Sequence, residues 1–141
     1  MATIDKDSVF NAYNDVRDDN TETAWAVFKY DGNNIIHDSS GTDYSEFLSN
    51  FTDEERVFGF VRIMTGDELS KRAKFALITW IGSSVSPLKK AKVSTDKALV
   101  KDVVQNFAKE LLTSDIRDLE EKNVREEVQK AGGANYGTGE R

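Results

Sequence analysis

The 141-residue sequence contains no cysteine, a single histidine (His37) and a single proline (Pro87). Without cysteine there is no thiol catalysis, disulfide framework or thiolate zinc site, and the composition fits a reducing compartment. One histidine argues against the Ser-His and multi-histidine constellations behind most hydrolases and catalytic zinc sites. Long apolar runs are missing too. The longest, Phe75 to Ile81, falls far short of the roughly 20 residues a membrane-spanning helix needs, and no secretory apolar region follows Met1. Nor is there an overall excess of positive charge. The net charge of −6 argues against a general binder of polyanions.

What is present is enough for one globular domain, because 38% hydrophobic and 10% aromatic residues exceed what disordered chains carry. A chain of this size buries about two thirds of its unfolded surface and needs no covalent or metal staple. Its charge is polarised along the sequence. Lys71, Arg72, Lys74, Lys89, Lys90, Lys92, Lys97 and Lys101 are accompanied between positions 71 and 101 by one acid, Asp96, so that segment carries +7 and the remainder −13. Such a segment is either a solvated strand edge and helix face or a contact surface steered toward an acidic partner.

Val9, Phe10, Tyr13 and Val16 recur at helical spacing within Ile4 to Arg17. Ala24 to Tyr30, the turn Asp31-Gly32-Asn33-Asn34 and Ile35-Ile36 predict a hairpin. Tyr44, Phe47, Leu48 and Phe51 mark a short second helix. Arg56 to Met64 and Lys74 to Ile81 are apolar on both alternating faces, which predicts inner strands of a sheet covered on both sides. Thr65-Gly66-Asp67-Glu68 reads as their connecting turn, and Ser70-Lys71-Arg72 as the polar start of the second. Alternation there turns Lys74 toward solvent and Phe75 into a helix-covered face. Ser86-Pro87 is a helix-start signature, with a kink or restart expected at Val93-Ser94-Thr95. Beyond it, Leu99, Val103, Phe107 and Leu111 form one four-residue row beside Val100, Val104 and Ala108, with a brief fifth strand expected at Leu111 to Ser114. Ile116, Leu119, Val124 and Val128 define a terminal helix stopped by Gly132-Gly133, leaving 134–141 as a flexible tail. The order α-β-β-α-β-β-α-(β)-α predicts an α+β domain over 1–133, with helices on both faces of a mixed sheet.

No catalytic, metal or cofactor constellation emerges. The adjacent carboxylates Asp18/Asp19, Glu54/Glu55, Glu120/Glu121 and Glu126/Glu127 have no apolar context to raise a pKa and read as solvated surface. The Asp31 and Thr65 segments lack a calcium loop's ligand series, and Gly132-Gly133 follows a helix instead of opening one. His37, at a strand end with no second ligand type near, reads as a hydrogen-bonded structural residue. The basic segment remains. Lys97 and Lys101 share a helix face, joined by Lys90 if the helix is continuous. Nucleic acid would accept these lysines but finds no exposed aromatic platform for its bases, and an acidic protein surface suits them equally.

Thr65–Gly82 (TGDELSKRAKFALITWIG), Leu99–Leu111 (LVKDVVQNFAKEL), Lys130–Tyr136 (KAGGANY) and Phe28–Gly32 (FKYDG) resemble the coactosins, a family of the actin-depolymerising-factor homology superfamily. The resemblance covers nearly the whole chain. It implies a five-stranded mixed sheet flanked by helices, binding to filamentous actin, and a cytoplasmic, cytoskeleton-associated monomer without enzymatic activity. Two contact regions are implied. One is the strand start Ser70 to Phe75, where Lys74 matches the lysine associated with filament binding. The other is the long helix from Ser86-Pro87-Leu88-Lys89 onward, with Lys90, Lys92, Lys97 and Lys101. Lys101 is followed by Asp102 where cofilin has a denser basic run, and Met1-Ala2-Thr3-Ile4 lacks the cofilin regulatory serine. These departures favour binding to the filament side without severing. The region around Lys130 resembles one linked with an arachidonate lipoxygenase. A phosphoinositide or nucleic-acid phosphate on the same basic face is the alternative, although no nucleic acid is expected.

Overall fold

Two strands that are apolar on both faces organise the fold. In chain order the elements are β1 (Thr3–Ile4), α1 (Lys6–Arg17), β2 (Trp25–Asp31), β3 (Asn34–Gly41), α2 (Tyr44–Leu48), β4 (Arg56–Gly66), β5 (Lys71–Ile81), α3 (Pro87–Val103), β6 (Lys109–Thr113), a 3₁₀ turn (Ile116–Leu119) and α4 (Glu121–Thr138). They belong to a computed structural model that describes residues 2–66 and 71–138, with side chains described to residue 131. The expected turn at Asp67-Glu68 and the serine at position 70 lie outside the described residues.

The strands form one sheet in the order β1-β3-β2-β4-β5-β6. β2 pairs antiparallel with β3 and β4, and β4 antiparallel with β5, while the outer strands β1 and β6 join in parallel. The sheet is therefore mixed, as expected, but six-stranded instead of five. The addition is β1, two residues that follow the start of β3 through Thr3↔Asn34 and Ile4↔Ile35. Ile4, expected to open the first helix, is thus extended. Asp5 caps α1 instead, its carboxylate accepting from the Ser8 N–H at 3.2 Å.

Alternation in β4 and β5 sorts the core into two halves. Phe58, Phe60 and Leu77 pack with Val9, Tyr13 and Val100 under α1 and α3. Val61, Ile78 and Trp80 pack with Phe47, Leu119 and Val124 under α2, the 3₁₀ turn and α4. The β2–β3 hairpin closes between Asp31 and Asn34, with Gly32 at φ +62°, a conformation that other residues adopt at a cost.

Five sequence expectations change. Phe10, at helical spacing with the α1 core residues, is 49% exposed. α3 runs unbroken through Val93-Ser94-Thr95. It ends at Val103 instead of continuing toward Leu111, because parallel pairing with β5 demands extended backbone there, beginning with Ala108 N–H donating to the Phe75 carbonyl at 2.7 Å. The four-residue row that suggested helix is apolar for two successive reasons: Leu99 and Val103 pack from α3, and Leu111 packs from a strand. That strand spans Lys109–Thr113. Finally, α4 continues through Gly132 and Gly133 to Thr138, since glycine weakens a helix by about 1 kcal/mol without itself ending it. Of the expected tail, 134–138 are thus helical in backbone, and 139–141 lie outside the described residues.

Candidate functional site

The basic segment folds into three groups in different circumstances. The first lies where β5 leaves the β4–β5 hairpin. Gly66 pairs with Lys71, Thr65 with Arg72 and Ile63 with Lys74. Side chains directly opposite share a face, so Arg72 and Lys74 lie on the α4 side with Ile63 and Thr65. Lys71 and Arg72 are exposed. Lys74 is half-buried instead of fully projecting, and Phe75 is half-buried as well, stacked on Phe60 at 5.2 Å. The expected contrast between an outward lysine and an inward phenylalanine is therefore only partial.

The second group lies at the start of α3. Ser86 caps the helix by accepting from the Lys89 N–H at 3.3 Å, and Pro87 occupies the first turn. Lys89, Lys90 and Lys92 follow, all exposed and without an ion pair among the described residues. The first turn contains no acid. Cations at the positive end of a helix dipole are unfavourable for the helix itself, so their presence points to a role outside folding.

The third group is half-buried and paired. Lys101 Nζ lies 2.9 Å from Glu110 Oε1, and Lys97 Nζ 3.5 Å from Glu110 Oε2. Partial burial alone would raise the Glu110 carboxyl, but the Lys101 hydrogen bond and the Lys97 charge outweigh it and hold the group below the usual carboxylate range. Glu110 Oε2 has no hydrogen-bond donor at normal distance, so Lys97 acts on it through charge. Asp96 does not lie on the basic surface either. It is 6% exposed and accepts from the Tyr30 hydroxyl at 2.6 Å, while the Arg56 guanidinium covers the Tyr30 ring at 3.7 Å. Burial, then this hydrogen bond to a carboxylate, push the Tyr30 phenol well above its ordinary pKa.

The structure therefore does not unite the eight basic residues. β5 and α3 run in opposite directions, so Lys71, Arg72 and Lys74 stand at one end of the layer and Lys89, Lys90 and Lys92 at the other. At the usual rise per strand residue the separation is roughly 30 Å. Sequence reasoning missed the apolar company of the second group. Leu88 is 69% exposed and Leu112 61%. Leu112 and Lys90 line, with Ile81, a surface hollow of about 300 Å³. Burial cannot be read from a strongly amphipathic pattern that α3 lacks in its first turn, so no sequence signal marked these residues. Lys130 projects from α4, 3.7 Å from Glu127, which Lys109 approaches at 3.8 Å.

His37 lies within β3, its Nε2 2.7 Å from Ser40 Oγ. Among the described residues no group of three or more His, Cys, Asp or Glu could hold a metal ion, and no helix is long and apolar enough to cross a membrane.

The sequence model of the family described as Cofilin/tropomyosin-type actin-binding protein matches residues 1–129. A coactosin-like protein from Rattus norvegicus is 58% identical over 137 residues, which cover 96% of this chain and 96% of its own. The chain belongs to the coactosin family of cofilin-type proteins. Its fold agrees with solved coactosins. A crystal structure of human coactosin-like protein superposes with a TM-score of 0.89 at 52% identity, covering 92% of this chain and 99% of that one. Mouse coactosin, an actin filament binding protein, gives 0.80 at 54% identity over 99% of both chains. For a coactosin-family chain, the two regions singled out in the sequence thus fall at opposite ends of the β5–α3 layer, with Lys97 and Lys101, both paired to Glu110, between them.

Proposed function

We propose that this protein binds along the side of actin filaments through two separated basic contacts and does not sever them. Lys71, Arg72 and Lys74 form one contact; Lys89, Lys90 and Lys92, with Leu88 between the helix cap and the lysines, form the other. The observation that carries the reading is the placement of exposed lysines at both ends of one layer in a coactosin-family chain. Family membership supports actin as the acidic partner, and mouse coactosin is a filament binder. Lys97 and Lys101, which share Glu110 and are partly offset by it, contribute less. A shortage of free charge in the middle of the long helix is the physical reason to expect attachment without severing. The protein acts by binding, in association with the cytoskeleton, and performs no catalysis.

Co-sedimentation with filamentous actin tests this directly. Binding should weaken as salt rises past the concentration at which the Debye length is about 8 Å. Lys74→Ala, and the pair Lys89→Ala/Lys90→Ala, should each lower affinity about tenfold, whereas Lys97→Ala/Lys101→Ala should change it less than about threefold. Fluorescence microscopy of the same filaments should show no increase in breaks. Equal losses from all three variants would replace the two-contact reading with one continuous basic face. Pelleting with phosphoinositide vesicles or RNA, and not with filaments, would overturn actin as the partner.

A further inference from the structure

The two margins of the sheet differ. β1 pairs only with Asn34 and Ile35, so the rest of β3 is also an edge, but there it carries the polar run His37-Asp38-Ser39-Ser40. β6 is five residues long and pairs with β5 alone, so alternate backbone N–H and C=O groups of Lys109–Thr113 face outward. Edge strands are ordinarily guarded by charges, proline or bulges. The two charges on β6 provide no such guard, because both turn onto the protein's own helices: Glu110 meets Lys97 and Lys101 from α3, and Lys109 meets Glu127 from α4. The strand contains no proline, and Leu112, the largest side chain toward its open end, is 61% exposed.

The ground on either side of this edge is chemically distinct. On the α4 side a groove of about 420 Å³ is bordered by Leu111, Thr113, Asp118, Asn123, Glu126 and Glu127, and reaches Leu112 at the edge itself. Glu127 is already shared by Lys109 and Lys130, whereas Glu126 is exposed and has no partner among the described residues. On the α3 side lies the hollow formed by Leu112, Ile81 and Lys90. Residues opposite one another in a parallel pair share a face, so Thr79↔Leu112 puts Leu112 on the α3 side, and Ile78↔Leu111 puts Leu111 on the α4 side.

We propose that the outer edge of β6 accepts an extended peptide from another protein as a seventh strand, with lysine or arginine at alternate positions facing Glu126 and Asp118 and apolar side chains between them facing Leu112 and Ile81. Backbone pairing supplies attachment, and the two-residue alternation supplies selectivity. A second copy of this chain fits less well. Two-fold antiparallel pairing through β6 would set the α4 carboxylates of one copy against those of the other, which is a like-charge contact. On the α4 side this site shares no residue with the lysine clusters assigned to the filament, whereas on the α3 side its hollow borders on Lys90.

The experiment uses the full chain at physiological salt with two synthetic octapeptides, one alternating lysine and valine and the other glutamate and valine. Backbone amide shifts and hydrogen exchange are followed by nuclear magnetic resonance. The lysine peptide should shift β6 and slow exchange at every second amide of Lys109–Thr113, with the glutamate peptide leaving them unchanged. Glu126→Lys, a surface change outside the filament contacts, should weaken the lysine peptide roughly three- to tenfold. Shifts scattered over the acidic surface without protection of β6 would overturn the proposal, as would equal binding to Glu126→Lys or equal protection by both peptides. Protection that rises with protein concentration alone would replace the peptide with a second copy.

Discussion

In the first two turns of α3, Lys89, Lys90 and Lys92 stand exposed, whereas two turns further on the same kind of side chain is held by Glu110 of β6. The helix is continuous across both halves, so the difference is not one of backbone. It comes from what lies beneath. The chain leaves α3, turns at Val104 and returns as β6, which brings Glu110 against the second half, while no acidic side chain among the described residues pairs with the lysines of the first. A count of lysines along the sequence therefore overstates the charge available to a partner. Availability is set by residues that tertiary packing brings near.

The largest effect expected is one that removes the comparison altogether. Phe60 is fully buried beneath both helices of its face, stacked on Phe75 at 5.2 Å and edge-on to Tyr13 at 4.9 Å. Phe60→Ala should cost about 3–5 kcal/mol, read as a fall in urea midpoint with an unchanged slope. A loss below about 1 kcal/mol would mean that α3 does not depend on this core, and the contrast between its halves would lose its structural basis.

A smaller change sharpens the contrast. Glu110→Gln keeps the shape and removes the charge that occupies Lys97 and Lys101. Stability should fall by no more than about 1 kcal/mol, because the pair is partly exposed. Filament affinity in co-sedimentation should rise a few-fold as two lysines are released, narrowing the difference between the halves. Unchanged affinity would show that the second half does not face the filament at all.

The smallest effect concerns pH. Glu110 titrates lower in the folded chain than in the unfolded one, so its contribution is complete above the unfolded value of about 4.3 and disappears as pH falls through the folded value. The stability difference between wild type and Glu110→Gln should therefore shrink below about pH 4. A difference that persisted there would assign the effect to packing instead of charge.

The parts of the fold that were legible share one property: a local pattern and the tertiary environment demand the same thing. In β4 and β5, apolar residues on both faces allow no other placement than the middle of a covered sheet, and Phe58, Phe60, Val61 and Ile78 fall on the faces that alternation assigns. Ser86-Pro87 opens α3 for reasons contained within one turn. Where local pattern and environment disagree, the reading fails. Val104, Phe107 and Leu111 continue a helical spacing, so the strand expected from Leu111 was placed too late: the open hydrogen-bonding edge of β5 draws Lys109–Thr113 into it. β1 had no signal at all, since two residues are too few for a period and pair only because β3 presents an edge. Phe10 had the right spacing but lies at the rim of α1, where no neighbour covers it fully.

The sequence by itself determined the α+β order, the two-faced core strands, the start of the long helix and the concentration of basic residues between Lys71 and Lys101, because each is set by neighbours within a few positions. Tertiary structure alone decided which of those basic residues remain available. Asp96 sinks against Tyr30, Glu110 returns from another strand to claim Lys97 and Lys101, and antiparallel travel along β5 and α3 carries the remaining lysines to opposite ends. Coulomb interactions act through space, and the distances that matter are created only when segments remote in the chain pack together.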